Sequence, residues 1–368
     1  MITQLGERSS ARQGRQSLAA RVRTSTVALF GSFLLAGLFG GNSPAASGTP
    51  LPTTVEAWIY PASLGQPACD VPAELAALSS DPIALLKPEY LNVSGGGKIR
   101  TETAAQLPCN GYSPANLAEV RSAASRVYVT VSSGSRPTKS LLASPAKEAA
   151  ALSNIEAFVA SNQLDGVDLD FEPNTWTSTM WSAYTGFVRD LVNALTPAGR
   201  AVEVDLEPFT TTPFDAERYA DVASAGAHLV VMAYDHEFDL PCAPISPYAW
   251  LEQVVTYAQS QVAPSDLTIG LPAYGYTTPN CKRVTHVTSN VAYVTMQNLP
   301  GFPTTPSAVE SLRDPSSGEI RWEAGGEFHD YVDATALNAK LQTVEDMGVT
   351  DISAWSLGGE PWFTGNPG

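Results

Sequence analysis

Two periods of hydrophobic and polar positions alternate along this chain. Short β-branched and apolar runs predict strands, and longer stretches with apolar residues at three- and four-residue steps predict helices between them. The predicted strands are Val55–Tyr60, Tyr90–Ser94, Arg126–Val131, Gly166–Glu172, Val202–Glu207, His228–Tyr234, Leu267–Leu271 and Asp351–Leu357. The clearest predicted helices are Ala146–Ala160, Thr179–Leu195, Pro247–Gln261 and Ala334–Met347.

Eight strands with helices between them predict an α/β fold of the (β/α)8 TIM barrel type. The alternative is a doubly wound open sheet, which usually has a glycine-rich phosphate loop after its first strand, and none is found here. Between the seventh and eighth strands, Glu319–Trp322 and Glu327–Val332 have the pattern of a hairpin. We therefore predict a small α+β insertion there, at about residues 277–332.

The first 45 residues differ from the rest of the chain. Five arginines precede an apolar run from Thr26 to Gly40, and the small residues Ser43–Ala46 follow. This order is typical of a secretory signal peptide, and the run is short for a membrane span of roughly 20 residues. An uncleaved N-terminal anchor is the alternative. We expect a signal peptide at 1–45, a linker at 46–53 and the barrel at 54–368.

The chain carries a formal net charge of −16, which argues against nucleic acid or an anionic lipid surface as a partner. An exported chain would be secreted, with periplasm or cell wall as alternatives, and would have no membrane contact after cleavage. Four cysteines, an even number, favour two disulfides among three possible pairings; they are Cys69, Cys109, Cys242 and Cys281. Without C-x-x-C or H-E-x-x-H spacing we expect no metal and no cofactor. We also expect a monomer.

The most informative segment is residues 165–172, Asp-Gly-Val-Asp-Leu-Asp-Phe-Glu. In a strand, Asp168, Asp170 and Glu172 point to one face and the apolar residues to the other. Three carboxylates in a row repel each other and are costly to desolvate, and no Lys or Arg lies on this strand. The row therefore predicts a catalytic site that needs a raised carboxyl pKa.

Further polar and aromatic residues lie at the ends of other predicted strands. Tyr234 and Asp235 end the sixth, Tyr274 follows the seventh, and Trp355 lies near the end of the eighth. Active sites of such barrels form at the C-terminal ends of the strands. Carboxyls beside aromatic faces at one mouth are typical of a carbohydrate site, although Tyr234 and Trp355 taken singly also suit barrel packing.

The segment at 165–172 matches D-G-x-D-x-D-x-E in full, and further motifs follow the order of a known family. They are Ser132–Gly134 as S-x-G, Met232–Asp235 as M-x-Y-D, Gly270–Gly275 as G-x-P-x-Y-G, and Trp355–Gly359 as W-x-L-G-G. With these motifs the chain resembles glycoside hydrolase family 18, the chitinases and their relatives. The motifs span residues 132–359, and the eight-residue motif is the most specific of them.

The resemblance implies a role for each acid. Glu172 would be the general acid, and the substrate's own 2-acetamido carbonyl would attack the anomeric carbon, with net retention. Asp170 would hold the acetamido N–H, and Asp168 would share a proton with Asp170. Tyr234 would bind the acetamido oxygen. Asp165, which lies off the inward parity, would brace the strand.

The resemblance also implies that Asp235 assists Tyr234 and that Trp355 forms the floor under the reacting sugar, with Tyr274 as a further substrate-binding residue. One position departs from the family: Pro173 follows Glu172 where an aromatic is frequent, and Trp176 is the candidate substitute.

A second acidic row, Glu203, Asp205 and Glu207, lies on the fifth predicted strand. One interpretation is a conventional retaining pair, with Glu172 as acid and Glu207 as nucleophile. The other places Glu207 at the mouth and Glu203 at the solvated base of the strand. We favour the second, because the family motif explains Glu172 without a partner carboxylate.

We therefore expect a retaining hydrolase that cuts β-1,4 bonds at N-acetylglucosamine units of a polysaccharide. Chitin is the expected polymer, with peptidoglycan or a glycoprotein glycan as alternatives. A non-catalytic chitin-binding lectin is a hypothesis from another class, and such family members usually lack the acid that Glu172 supplies. Endo or exo action is not indicated by the sequence.

Overall fold

A parallel β-barrel forms the centre of the molecule. The computed structural model describes residues 54–59, 83–102, 111–279, 281 and 296–357. Eight barrel strands are connected in the order β2-β1-β13-β9-β8-β7-β6-β5, and β5 pairs back onto β2 and closes the barrel. They are β1 (Thr54–Ile59), β2 (Ile83–Pro88), β5 (Ala124–Gly134), β6 (Gly166–Glu172), β7 (Ala201–Leu206), β8 (His228–Met232), β9 (Leu267–Pro272) and β13 (Asp351–Leu357). The predicted (β/α)8 barrel is confirmed, and the open-sheet alternative is wrong.

Helices of the described residues surround the barrel. They are α1 (Pro114–Ala123), α2 (Ser135–Leu141), α3 (Pro145–Ser161), α4 (Ser178–Leu195), α5 (Tyr219–Ser224), α6 (His236–Asp239), α7 (Tyr248–Gln259), α8 (Pro306–Glu310) and α9 (Ala334–Asp346). The four clearest sequence predictions correspond to α3, α4, α7 and α9, with ends shifted by one or two residues.

Helix α4 shows why these segments are helical. The Thr177 side chain accepts a hydrogen bond from the Met180 amide and so satisfies one of the free N–H groups of the first turn. Its buried residues recur at three- and four-residue steps from Trp181 to Leu195, which gives one continuous apolar face. This face packs on the barrel wall, where Phe171 of β6 stacks with Tyr184 at a centroid distance of 5.3 Å.

The second barrel strand differs from its prediction. We expected it at Tyr90–Ser94, but the barrel strand is β2, Ile83–Pro88, which pairs with β1 and β5. The predicted segment contains β3 (Leu91–Val93), which extends along β5 and pairs with β4 (Ile99–Thr101). The single lysine in Ile-Ala-Leu-Leu-Lys-Pro weakened the apolar pattern of the true strand.

The predicted insertion lies between β9 and β13, the seventh and eighth barrel strands. It contains a three-stranded antiparallel sheet in the order β10-β12-β11, formed by β10 (Gly275–Pro279), β11 (Ile320–Ala324) and β12 (Glu327–Tyr331). A small core of its own holds it together, with Met296, Ile320, Trp322 and Tyr331 buried. The predicted hairpin is the β11–β12 pair.

The predicted signal peptide and linker lie outside the described residues, as do Cys69 and Cys109. Within the part of the chain that the structure describes, no helix has the length and apolar character needed to cross a membrane.

Candidate active site

The acidic row of β6 runs along the barrel interior toward the C-terminal mouth. Asp168 is fully buried, Asp170 is 7% exposed, and Glu172 ends the strand half-buried. Parallel pairing sets these acids against Thr130, Ser132 and Gly134 of β5. The alternation of β6 therefore brings three carboxyls together, with only the last one near solvent.

Hydrogen bonds hold Asp168 from three barrel strands. Its Oδ2 atom accepts from Trp58 Nε1 at 2.9 Å and from Thr130 Oγ1 at 2.7 Å. A further side-chain hydrogen bond joins Asp168 to Asp205 of β7. These contacts hold the first acid of the row from β1, β5 and β7.

Lys87 of β2 is a buried cation beneath the row. Its Nζ atom lies 3.2 Å from both Glu56 Oε2 and Glu203 Oε2, and 4.0 Å from the centroid of the Trp58 ring. The expectation that Glu203 lies at a solvated strand base is wrong, because Glu203 is 4% exposed and ion-paired inside the barrel. The second acidic row thus faces the interior near the first, and Glu203 is paired with a lysine from another strand.

Burial raises the pKa of several of these acids. It raises the pKa of Glu203 to about 8, with a contribution from Glu56, while Lys87 opposes the shift. The pKa of Asp205 is raised well above its usual value, first by burial and then by the charge of Asp168. Burial alone would lower the pKa of Lys87, but Glu203 and the other acids raise it, so Lys87 remains charged.

Three aromatic rings lie together at the ends of β8, β9 and β13. Tyr234 stacks with Trp355 at a centroid distance of 6.0 Å, and Tyr274 meets Trp355 edge-on at 5.4 Å. The Tyr274 hydroxyl donates to Asp235 Oδ1, and Trp355 Nε1 donates to Glu89 Oε1 at 2.9 Å. The tertiary structure thus brings the predicted residues Tyr234, Asp235, Tyr274 and Trp355 into one group.

Gly270 of β9 makes room for this group. A Cβ atom there would lie 3.2 Å from Tyr234 Cε1, and 3.3 Å from both Met232 Cα and Trp58 Cη2. These distances are tighter than ordinary van der Waals contact, so a larger residue would displace the Tyr234 or Trp58 ring.

A small pocket adjoins Glu172. Among its lining residues are Trp176, Asp205, Glu207 and Glu217. Trp176 is 4% exposed and stacks on Tyr184 at 4.8 Å, so much of its ring belongs to the aromatic core. Its role in substrate binding stays a prediction. Glu172 and Glu207 line the same pocket, so the arrangement is compatible with the paired-carboxylate mechanism.

Two predicted structural features lie around this site. Asp165 Oδ2 accepts from the Val127 amide at 2.9 Å, and the Asp165 carbonyl accepts from Ala201, so this residue links β6 to both neighbours. Cys242 and Cys281 form a disulfide. It connects the loop after α6 with the chain just beyond the end of β10.

Sequence reasoning missed Trp58, Lys87, Glu56 and Glu89. The available signal was a single lysine in the apolar segment Ile83–Pro88 and a single glutamate in Thr54–Ile59, each on the inward parity of a strand. Among the described residues, no group of three His, Cys, Asp or Glu side chains has a geometry suited to a metal ion.

The site has the composition that the sequence motifs predicted, and the comparison with known families decides its identity. The sequence profile of Glycosyl hydrolases family 18 matches residues 87–360, which is most of the chain. The chain belongs to this family. By family the chain is a glycoside hydrolase.

Individual family 18 relatives are distant. A cortical fragment-lytic enzyme of Bacillus anthracis is 24% identical over 206 residues, which cover 52% of this chain and 46% of that protein. The matches cover 33% to 46% of the length of the curated relatives, so this chain spans less than half of each.

Two solved structures share the fold. A class V chitinase from Pseudomonas fluorescens Pf-5 has a TM-score of 0.64 at 20% identity, with 84% of this chain and 96% of that chain covered. The Bacillus cereus spore cortex-lytic enzyme SleL has a TM-score of 0.64 at 16% identity, with coverage of 85% and 72%. At these identities the likeness shows the fold alone.

Proposed function

We propose that this chain is a retaining glycosidase that hydrolyses β-1,4 bonds at N-acetylglucosamine units, with chitin or chitooligosaccharides as substrate. The observation that carries the proposal is the row Asp168, Asp170 and Glu172, which leads to the mouth where Tyr234 and Trp355 lie together. Carboxyls provide acid catalysis and hydrogen bonds, and aromatic faces pack on the apolar faces of sugars.

In the proposed reaction Glu172 donates a proton to the glycosidic oxygen as the bond to the anomeric carbon breaks. The carbonyl oxygen of the 2-acetamido group forms the new bond to that carbon and yields an oxazolinium-type intermediate. Asp170 holds the acetamido N–H and balances the positive charge, and Tyr234 binds the acetamido oxygen. Water then attacks the anomeric carbon, Glu172 takes its proton, and the configuration is retained.

The charge of the chain supports a neutral polymer over an anionic one. A formal net charge of −16 disfavours approach to an anionic wall polymer at low ionic strength. The names of the similar solved structures agree with either kind of substrate: one is a chitinase, and another is a spore cortex-lytic enzyme. Peptidoglycan is therefore the second candidate substrate.

The decisive assay compares labelled chitooligosaccharides, their de-N-acetylated counterparts and peptidoglycan fragments for wild type, Glu172→Gln and Glu207→Gln. We expect turnover of acetylated chitooligosaccharides only, with loss of about 10³-fold or more in Glu172→Gln and retention of most activity in Glu207→Gln. The first product should be the β-anomer by NMR. Turnover of de-N-acetylated substrate that both variants lose would replace this mechanism with the paired-carboxylate one.

Two other results would change the assignment of function. Binding of chitooligosaccharides without turnover by the wild type would identify a lectin, and turnover of peptidoglycan fragments alone would identify a wall-lytic enzyme.

We also propose export of the chain, supported by the charge and apolar pattern of residues 1–45. N-terminal sequencing of protein recovered from the medium tests it: retention of residues 1–45 in a membrane fraction would indicate an anchor instead.

A further inference from the structure

The buried Lys87 cluster has no task in the reaction described above. One ammonium lies in the barrel interior with four acids around it: Glu56, Glu203, Asp168 and Asp205. Lys87 is fully buried, and removing a charged group from water is costly. Replacing a buried ion pair with apolar residues of similar volume is often neutral or stabilising, so ion pairing alone is weak evidence that the cluster stabilises the fold. The cluster therefore needs an explanation other than stability.

A continuous path of contacts leads from this ammonium to the catalytic row. Lys87 Nζ lies 4.0 Å from the centroid of the Trp58 ring, and Trp58 Nε1 donates to Asp168 Oδ2 at 2.9 Å. A cation over the indole face draws electron density from the ring, which makes its N–H a stronger donor. Glu203 Oε2 and Glu56 Oε2, each 3.2 Å from Nζ, hold the ammonium in this position.

We propose that Lys87 is a positioning residue for the proposed hydrolysis. Its ammonium, held by Glu56 and Glu203 over the Trp58 ring, stabilises negative charge on the acidic row. Through the Trp58 N–H it also keeps Asp168 oriented, so that Asp170 and Glu172 are placed correctly toward the substrate. The inference rests on the proposed function. It assigns a task to the inner part of the second acidic row, since Glu203 anchors the cation and Asp205 is hydrogen-bonded to Asp168.

The prediction concerns the ionisation of the whole cluster. Its other charged or titratable neighbours are Arg126 and Tyr128 on β5, Asp170 on β6, His228 on β8, Asp351 on β13 and Tyr184 on α4. Lys87 is the cation in direct contact with the acids. Without it, carboxyls ionise only at higher pH, because no opposite charge offsets their burial.

The test compares Glu203→Gln with Lys87→Met/Glu203→Gln, so that the two proteins differ only in the ammonium. We expect the acidic limb of the kcat/KM profile to move up by about 1 pH unit in the double variant, relative to Glu203→Gln. We also expect kcat to fall by roughly 10- to 100-fold with little change in KM, because the carboxyls are misplaced rather than absent. An unchanged profile in a folded double variant would overturn the proposal.

A matched control separates positioning from stability. Lys340 is also fully buried and paired with a glutamate, at 2.9 Å from Glu319 Oε1, outside the catalytic row. Lys340→Met/Glu319→Gln should lower the melting temperature and leave the acidic limb where it is in the wild type. If this control moves the limb as far as the Lys87 variant does, Lys87 has no specific role.

A substrate-free readout makes failure of this proposal distinguishable from failure of the proposed function. The indole N–H resonance of Trp58, assigned by its loss in Trp58→Phe, reports ionisation of the carboxyl that accepts its hydrogen bond. Its titration midpoint should move up in the Lys87 double variant, and an unchanged midpoint refutes the proposal. A wild type without turnover whose midpoint still moves in the variant would refute the hydrolysis and support the charge network.

Trp58→Phe also carries the test if the double variant does not fold. It keeps an aromatic face for the ammonium and removes the N–H that reaches Asp168. We expect its acidic limb to move in the same direction as that of the Lys87 variant. A folded Trp58→Phe protein with the wild-type profile and kcat would show that the path through the indole has no influence on the row.

Discussion

Removal of the Cys242–Cys281 disulfide should destabilise the barrel by an amount that can be worked out. The bond closes a loop with a sequence separation of 39. The chain-entropy relation for such a loop gives about 3.9 kcal/mol at 25 °C. Both cysteines have positive φ, 61° and 48°, and a non-glycine residue in that region carries a cost of order 1–3 kcal/mol. Part of this cost is recovered when the bond is absent, so we expect a net loss of about 2–4 kcal/mol.

Calorimetry of the Cys242→Ala/Cys281→Ala variant measures this loss. With an unfolding entropy of about 2.1 cal/mol/K per residue over roughly 300 residues, 2–4 kcal/mol corresponds to a fall in Tm of about 3–6 °C. Activity at 25 °C should persist, because neither cysteine belongs to the acidic row or to the aromatic group of the proposed site. Thermal inactivation should begin at a correspondingly lower temperature.

The control is the Cys69→Ala/Cys109→Ala variant, which leaves the described bond intact. A fall in Tm there would report the second disulfide that the cysteine count predicts. Thiol titration in denaturant gives the number of free thiols in each protein. A Tm of Cys242→Ala/Cys281→Ala within about 1 °C of the wild type would refute the loop-entropy reasoning for this bond.

Three further predictions concern the site. Burial raises the pKa of Glu203 from 4.5 to about 8, so the folded state holds this proton more tightly than the unfolded state does. The wild type should therefore lose stability as pH rises from about 4.5 to 8, and Glu203→Gln should lack this loss. Parallel curves of Tm against pH for the two proteins would contradict this prediction. Tyr274→Phe, which removes the donor to Asp235, should lower kcat about 10-fold without unfolding, and an unchanged kcat would exclude a role for that hydrogen bond. Gly270→Ala should destabilise by about 1–3 kcal/mol in urea titration, because its Cβ meets Tyr234 and Trp58; no change would show that these rings move freely.

Much of the site could be predicted from sequence because its elements are local. The alternation of β6 alone places Asp168, Asp170 and Glu172 on one face, and the 3.6-residue period of α4 gives its buried face. Strand order then follows from the rule that such barrels place consecutive parallel strands side by side. The C-terminal ends of β8, β9 and β13 therefore meet at one mouth of the barrel. Tyr234, Tyr274 and Trp355 lie at this mouth.

The second strand and the second acidic row show where sequence reasoning stopped. An inward-facing lysine in an apolar strand looks like a break in the pattern, so β2 was placed several residues too late. Glu203 has the alternation of an inward residue, but no local rule says whether an acid at that position is solvated or paired, because its partner comes from β2, 116 positions away in the chain.

The sequence by itself determined which residues face the barrel interior and which acids can do chemistry, since side-chain parity in a strand depends only on the strand itself. Closure of the barrel decided the rest. It brought Trp58 of β1 into contact with Asp168 of β6, and it brought Lys87 of β2 into contact with Glu56 and Glu203, all of them buried. Which carboxyls are charged depends on that burial and on those neighbours, and both exist only in the closed barrel.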